Sequence, residues 1–469
     1  MLFLRVCYPE LEIVMNLKKP KIEIKKFKPI RWIMGPILLL SYSMTFAQPL
    51  PMSDSEEDAQ DGIIYTNLRS ILESREELAN LINENAFAEA YPIAFGLTGM
   101  LMMEFGEESE EYANGMQDLA IIQRNLGLYE DSIQSLYVVI EYNYNTEGSF
   151  SEKNIFPLQT MGANYYDLED YQAAFTTFED ARLISRRTLG LLNEVQLEIM
   201  RYQSNLLIQR GDIESGIALQ NEALRLARRA SSDDYDKRID FLYQYADWFF
   251  GVNQWERGRG LLIQVLDMQR AYEGEESPNI IRTYRELGTS YRRQQFNDQN
   301  GLGYLLRANR IISRNPDTID AVEKALLYRD LGDWYTAFSR VTDGGNQYLR
   351  AWEVLRNEDG SYPEILTEWF AEPVAVIQRR PNQRGLTNAE DERGLPGIVI
   401  ADYFIDETGR TREIEIIESS PEGLKDGTVY ASIRDTRYRP IMIDAIPMSS
   451  DKRTETFSYL YIPTLSEMN

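Results

Sequence analysis

The residue types that most enzymes use for nucleophilic, redox and metal chemistry are almost missing from this sequence of 469 residues. It contains no histidine, and its only cysteine, Cys7, lies near the N-terminus. These counts exclude serine–histidine catalysis, metal sites built from histidine or cysteine, thiol chemistry and disulfides. We therefore expect no metal and no other cofactor.

Carboxylates are the remaining groups with catalytic chemistry, because 74 acidic residues against 49 basic ones give a net charge of −25. The clusters Glu107–Glu111 and Glu273–Glu276 could form acid–base pairs, but they fall where predicted helical hairpins join, which favours solvated loops. No motif sets two acids at a defined spacing, so we predict that the protein is not an enzyme. The negative charge repels nucleic acid, and we expect no small-molecule substrate.

A group of arginines could bind acidic ligands even though the protein as a whole is negatively charged. The predicted binding residues are Arg201, Tyr243, Arg282, Arg285, Arg292 and Arg329. Arg282, Arg285 and Arg292 share one face of a predicted helix, and the other three occupy the position of Arg285 in further copies of a repeat. Guanidinium groups bind carboxylates by charge-assisted hydrogen bonds, so this face predicts a groove for acidic peptides or for the free C-terminus of a partner. A solvated face balanced by nearby acids is an equal alternative.

Helical hairpins must position these side chains, and Leu158–Ala181 is the clearest one. Apolar stripes at helical spacing flank the polar turn Asp167–Asp170. Small residues then recur every 42 to 44 positions: Ala120, Gly162, Ser204, Ala246, Gly288 and Gly332 in first helices, and Ala90, Ser132, Ala174, Gly216, Gly258, Gly301 and Gly344 in second helices. A non-repeating bundle predicts apolar stripes but no such register, so we predict an α-solenoid with a period of 42.

The order Leu, Gly, Tyr and then Ala, Phe, Ala in Leu158–Ala181 resembles a tetratricopeptide (TPR) repeat. The segments Leu287–Tyr291 (LGTSY) and Leu331–Tyr335 (LGDWY) repeat its first half. The resemblance covers about seven hairpins in residues 63–357 and implies that the arginine face lines a concave groove. The period is longer than the usual 34 residues of these repeats, and HEAT-like repeats are the nearest rival.

The periodicity changes to two after a predicted linker over residues 358–372, which includes a short helix at Glu364–Phe370. Strands are predicted at Ile398–Ile405 and Thr411–Glu418 around a turn, and a last strand at Thr454–Tyr461. A helix over residues 424–434 lies between them in the sequence. Residues 373–469 are thus predicted to form a small α+β domain with the order strand, strand, helix, strand.

This domain resembles the C-terminal domain of TonB, the energy transducer of Gram-negative bacteria. The resemblance rests on Phe404-Ile405-Asp406, Gly409, Ser419-Ser420-Pro421 and the Tyr438–Pro440 segment. It implies that a sheet edge captures a short peptide of an outer-membrane receptor. The edge residues would be Thr456, Phe457, Ser458, Tyr459 and Tyr461. Two departures from the family are the missing proline-rich spacer and an N-terminal segment without histidine.

The N-terminal residues 1–47 resemble an export signal, followed by a linker over residues 48–62. A lysine-rich stretch precedes the apolar run Trp32–Phe46, and Thr45 and Ala47 satisfy a signal peptidase, so the mature protein should begin at Gln48. An uncleaved membrane anchor is the alternative, and Met15 is an alternative start.

These features together predict an adaptor in the periplasm of a Gram-negative bacterium. It would combine a TPR-like scaffold with a TonB-like peptide-binding domain and bind proteins or peptides of the cell envelope, including outer-membrane receptors. The alternative function is a genuine TonB-type energy transducer that keeps its N-terminal anchor, in which case it would need a motor partner.

Overall fold

The computed structural model describes residues 58–357, 362–378 and 394–461. The protein separates into two units, Met1–Tyr65 and Thr66–Asn469, and every contact reported below lies within the second. The predicted export signal lies outside the described residues, as do most of the linker that follows it and residues 358–361 of the second linker.

The second unit is mostly a helical repeat solenoid, followed by a small strand-rich region. The helices are α1 (Asp58–Asn83), α2 (Phe87–Phe105), α3 (Glu110–Asn125), α4 (Tyr129–Glu147), α5 (Ile155–Asp167), α6 (Tyr171–Thr188), α7 (Gln196–Gln209), α8 (Ile213–Ala230), α9 (Tyr235–Gly251), α10 (Trp255–Glu273), α11 (Ile280–Arg293), α12 (Gln299–Arg314), α13 (Ala321–Ala337), α14 (Val341–Asn357), α15 (Pro363–Phe370) and α16 (Asp426–Asp435). Across the described residues, none of these helices combines the length and the apolar character that a membrane span requires.

Small residues at fixed register bring the paired helices together, as the sequence predicts. A Cβ atom on Gly332 would lie 2.4 Å from the ring of Tyr348, and one on Gly288 would lie 2.5 Å from Leu305. In each case the glycine lies in the first helix of a pair and the large side chain in the second. The predicted register is therefore confirmed as the line of closest contact between helices.

One buried apolar cluster continues along the solenoid and into the strand-rich region. It extends from Met200 in α7 through Tyr348 in α14 to Phe370 in α15 and Met442. Helix α15 lies in the segment predicted as a linker, where it is joined to the solenoid by the buried rings of Trp369 and Phe370. Terminal repeats need a cap for their exposed apolar face, and α15 begins that cap here.

The strand-rich region contains three small sheets among the described residues. Its strands are β1 (Val374–Ile377), β2 (Leu395–Ile405), β3 (Thr411–Ser420), β4 (Arg437–Arg439), β5 (Ile441–Ile443), β6 (Ile446–Met448) and β7 (Arg453–Tyr461). The largest sheet is antiparallel with the order β3-β2-β7, while β1 pairs with β4 and β5 with β6. Strands β2, β3 and β7 with α16 match the predicted order strand, strand, helix, strand, whereas β1, β4, β5 and β6 are additions.

The predicted turn between β2 and β3 requires its glycine. Gly409 has φ +76°, and a Cβ atom there would lie 1.8 Å from the carbonyl oxygen of Tyr438. The carboxylate of Asp406 accepts hydrogen bonds from the backbone N–H groups of Thr408 and Arg410, both at 2.9 Å. The turn therefore positions β4 as well as joining two strands.

Candidate functional site: an ionic junction, an acidic cleft and a sheet edge

Two buried carboxylates on α13 organise the contact between the solenoid and the strand-rich region. Asp330 and Asp333 are three residues apart, so they share one face of the helix, and each is only 3% exposed. They flank Leu331 and Gly332 of the LGDWY segment. A buried carboxylate remains ionised only where cations or donors replace its water, and both acids have such partners.

Asp333 binds an arginine from the strand-rich region. Nε and Nη2 of Arg439 donate to its two carboxylate oxygens at 3.0 and 2.9 Å, and the hydroxyl of Tyr348 donates at 3.0 Å. Arg292 of α11 adds a second cation at 3.6 Å. Burial by itself would raise the pKa of Asp333, but Arg439 and Arg292 hold that pKa below its usual value.

Asp330 binds two arginines of the solenoid itself. Nε of Arg285 donates to one carboxylate oxygen at 2.8 Å, and Arg329 donates to the other at 2.9 Å. Arg285 also pairs with Glu323 at 3.0 Å, and Arg329 stacks 4.5 Å from the ring centroid of Trp369. Burial raises the pKa of Asp330 and these cations more than offset it, so the pKa is lowered.

The structure corrects the open-groove interpretation for Arg285, Arg292 and Arg329. Arg285 is 8% exposed, and the side chains of Arg292 and Arg329 are 15% and 22% exposed. Arg285 and Arg329 bind carboxylates of α13, and Arg292 donates to the carbonyl of Val376 in the strand-rich region, so their donors are already used within the protein. Capture of a separate peptide by these residues stays a prediction.

The remaining predicted residues are dispersed over two places. Arg201 pairs with Glu198 and stacks 4.5 Å from the ring centroid of Tyr202. Tyr243 is buried, with its hydroxyl bonded to Thr283, and Arg282 stacks 4.1 Å from its ring centroid. The structure therefore brings only Tyr243 and Arg282 together at an open surface.

That surface is a cleft of about 460 Å³ between the N-terminal ends of α9, α11 and α13. Its charged lining consists of Arg282 and the carboxylates Asp236, Asp240, Glu273, Asp320 and Glu323. One cation against five carboxylates makes this cleft unfavourable for the acidic peptide predicted from the sequence. These acids come from three places: Asp236 and Asp240 from α9, Glu273 from the end of α10, and Asp320 and Glu323 from the start of α13.

The Glu273–Glu276 cluster borders the same cleft, and its first member has a structural role. The carboxylate of Glu273 accepts hydrogen bonds from Tyr235 at 2.7 Å, Ser277 at 2.6 Å and Asn279 at 2.7 Å. Burial acts to raise its pKa, but these donors stabilise the charged form and the net effect is a lower pKa. Among the described residues, no group of three acidic side chains could hold a metal ion.

Strand β7 lies at one edge of the largest sheet, where some of its backbone N–H and C=O groups point away from β2. The N–H of Asp406 donates to the carbonyl of Arg410 across the turn, so Asp406 points its backbone groups toward β3 and the preceding residue, Ile405, points its own the other way, toward β7. Val399 is six residues away along β2, an even number, so its backbone groups also point toward β7. Its register partner Phe457 points its own backbone groups toward β2. Thr456 therefore points its N–H and C=O away from β2, at the outer edge.

The aromatic side chains of β7 face the core of this region, as predicted. Phe457, Tyr459 and Tyr461 alternate with more exposed neighbours and pack with Val429 and Ile433 of α16. The predicted edge residues thus all lie in one edge strand, anchored by its inward face. Strand addition by a partner at this edge stays a prediction.

Asp330, Asp333 and Arg439 are the site residues that the sequence analysis missed. The signal was present in α13, because both acids fall among apolar residues of a first helix where a solvated face is not expected. Arg439 lies within the Tyr438–Pro440 segment, whose resemblance to TonB gives no indication of a buried ion pair.

The sequence matches no protein-family model and no curated protein. Several solved structures are similar to it, among them a tetratricopeptide repeat protein from Parabacteroides merdae, with 13% identity and a TM-score of 0.37 over 64% of this protein and 97% of that one. BtubC from P. vanneervenii has 15% identity and a TM-score of 0.36 over 57% and 95%. The apo form of the quorum sensor NprR from B. thuringiensis has 11% identity and a TM-score of 0.34 over 64% and 91%. Likeness at this level supports no conclusion about partners, and the solenoid is evident from the helices of this protein.

Proposed function

We propose that this protein is a protein–protein interaction scaffold in which an array of about seven helical hairpins holds a peptide-binding sheet. The sheet would capture an extended segment of an envelope protein by addition of a strand along β7. This proposal rests mainly on the direction of Thr456, which lies in an edge strand and points its backbone N–H and C=O away from β2. Strand addition uses such backbone groups for affinity and the alternating side chains for specificity.

The inward face of β7 suits this role. Because Phe457, Tyr459 and Tyr461 are packed on the core side, the strand is held without its outer edge. A partner strand would meet the exposed side chains of Thr456 and Leu460. The resemblance to TonB seen in the sequence supports the same mode of binding. Together with the predicted export signal, it also supports a periplasmic location. The location is tested by the intact mass of the mature protein, expected to begin at Gln48; a protein retained in membranes would favour the energy transducer.

Thr456→Pro tests the docking edge. Proline removes the outward-facing N–H and leaves the hydrogen bonds to β2, so we expect recovery of envelope proteins in a pull-down with the full-length protein to be lost. Thr456→Val is the matched control, because it keeps the N–H and a β-branched side chain. Circular dichroism and the thermal midpoint establish that both variants are folded.

A folded Thr456→Pro variant that recovers the same proteins as Thr456→Val would refute docking at this edge. The scaffold would then act through its helical surfaces alone.

A further inference from the structure

The pocket around Asp333 has the features of a binding site for an arginine side chain. Three donors of the Arg439 guanidinium are used there: two bind Asp333, and Nη1 donates to the carbonyl of Trp369 at 3.1 Å. The rings of Tyr348 and Phe370 lie beside it on one side, each with its centroid 5.9 Å from the guanidinium carbon and 6.1 Å from the other ring. Lysine cannot reproduce this arrangement, because its ammonium group lacks the planar fork that binds a carboxylate, a carbonyl and neighbouring aromatic rings together.

The neighbouring surface binds an extended segment mainly through its backbone. Arg292 donates to the carbonyl of Val376 at 2.6 Å, and Gln295 donates to the carbonyl of Gln378 at 2.8 Å. The side chains of Val376 and Ile377 pack against Ala337 and Phe338, beside these donors. Carbonyl groups are present in every peptide, so these contacts require only an extended conformation and apolar side chains.

The fit of the protein's own segment leaves one donor unsatisfied. Nε of Arg292 is buried without a hydrogen-bond partner among the described residues. A buried donor of this kind destabilises the occupied state and so lowers the cost of exchanging one occupant for another.

The strand-rich region does not depend on this contact for its core. Its own buried cluster joins β2, β3 and β7 to Val429 and Ile433 of α16, with Tyr438 at the border. Val376 and Ile377 belong instead to a separate cluster with α13. Undocking would expose Val376, Ile377 and Met442, whereas the cluster of the β3-β2-β7 sheet includes no solenoid residue among those described.

We propose that the surface formed by Asp333, Arg292 and Gln295 recognises an extended, arginine-bearing segment. The protein fills it in cis through β1 and Arg439, and a partner protein with an arginine beside apolar residues fills it in trans. Occupancy in cis weakens binding of the partner: the apparent Kd equals the intrinsic Kd divided by the fraction of molecules in which the site is open. This site is distinct from the β7 edge, so either can fail without the other.

Arg439→Glu in the full-length protein tests the proposal, because a glutamate facing the buried Asp333 opposes docking in cis. The probe is a fluorescent peptide of residues 434–442 (RDTRYRPIM), which supplies the arginine for Asp333 while β1 stays on Arg292 and Gln295. It is compared with the same peptide carrying alanine at the position of Arg439. We expect the arginine peptide to bind Arg439→Glu at least about tenfold more tightly than it binds the wild-type protein. The alanine peptide should bind neither.

Arg412→Glu is the matched control, because Arg412 forms a 2.7 Å ion pair on the surface of the same region with its side chain 56% exposed. It should leave peptide affinity at the wild-type value. If Arg439→Glu does not fold, methylguanidinium should raise the thermal midpoint of Arg439→Ala and not that of the wild type. Equal binding of both peptides to folded Arg439→Glu, or no effect of methylguanidinium on Arg439→Ala, would overturn the proposal.

Discussion

Gly301 and Gly303 lie two residues apart in α12, and alanine should have opposite effects at the two positions. At Gly301 an added Cβ would lie 2.4 Å from the ring of Trp334 and 2.8 Å from the Cβ of Tyr291, whereas at Gly303 nothing lies within 4 Å. Alanine is favoured over glycine in a helix by about 0.5–1 kcal/mol, so Gly303→Ala should stabilise by that amount.

At Gly301 overpacking outweighs this gain. The ring of Trp334 is 2% exposed and cannot move without displacing its neighbours. Forcing a methyl group into a packed core costs about 1–3 kcal/mol, which leaves a net loss of up to about 2.5 kcal/mol for Gly301→Ala. Because the helix-propensity gain is common to both variants, they should differ by the overpacking cost of about 1–3 kcal/mol in the free energy of unfolding.

Urea unfolding followed by circular dichroism and tryptophan fluorescence measures this difference, provided that both signals give one transition with an unchanged slope. Gly258 and Gly260 in α10 repeat the comparison, since a Cβ would lie 2.4 Å from Phe250 at the first and within 4 Å of nothing at the second. Equal shifts for the two members of a pair would refute the packing role of the 42-residue register.

Two further predictions concern ionisable groups. Arg285→Ala should lower the free energy of unfolding by about 3–5 kcal/mol, because it leaves the buried Asp330 with a single strong partner. The control is Arg282→Ala, which removes an exposed arginine from the same helix and should cost less than about 1 kcal/mol. Similar urea midpoints for the two variants would contradict the buried ionic junction. Burial raises the pKa of Asp118 to about 6, with Arg75 opposing the shift. Ionising Asp118 thus costs stability above about pH 6, so Asp118→Asn should stabilise by about 1–2 kcal/mol at about pH 7, allowing for partial exposure. The gain should disappear as the pH falls from about 6 to about 4, and a gain that persists at the lower pH would exclude this cause.

The buried ionic junction around Asp333 gives arginines of the predicted groove a structural role within the protein. Seven charged groups meet there, and most of their hydrogen bonds remain within the protein. Buried ion pairs of this kind contribute to the choice of one docked geometry more than to net stability. The strand-rich region is accordingly a defined partner of the solenoid and covers much of the face that would otherwise be its groove.

Much of the fold is predictable from the sequence because its contacts are local and periodic. Helices of one hairpin meet within a few turns of a short loop, so the small residues at their crossing recur at a constant interval. Alternation likewise identifies β2, β3 and the inward aromatics of β7. The four short strands escape prediction because three or four residues contain too little alternation to distinguish a strand from a loop.

The sequence by itself determined the repeat architecture, the order strand, strand, helix, strand in the C-terminal region and the lack of any histidine side chain. Only the tertiary structure decided which arginines are accessible. Arg439 and Asp333 are 106 residues apart, and nothing in either neighbourhood indicates the other. The physical reason is that a charged side chain on a helix is equally compatible with water and with a buried partner. The choice between them depends on a distant segment that folding brings to the same place.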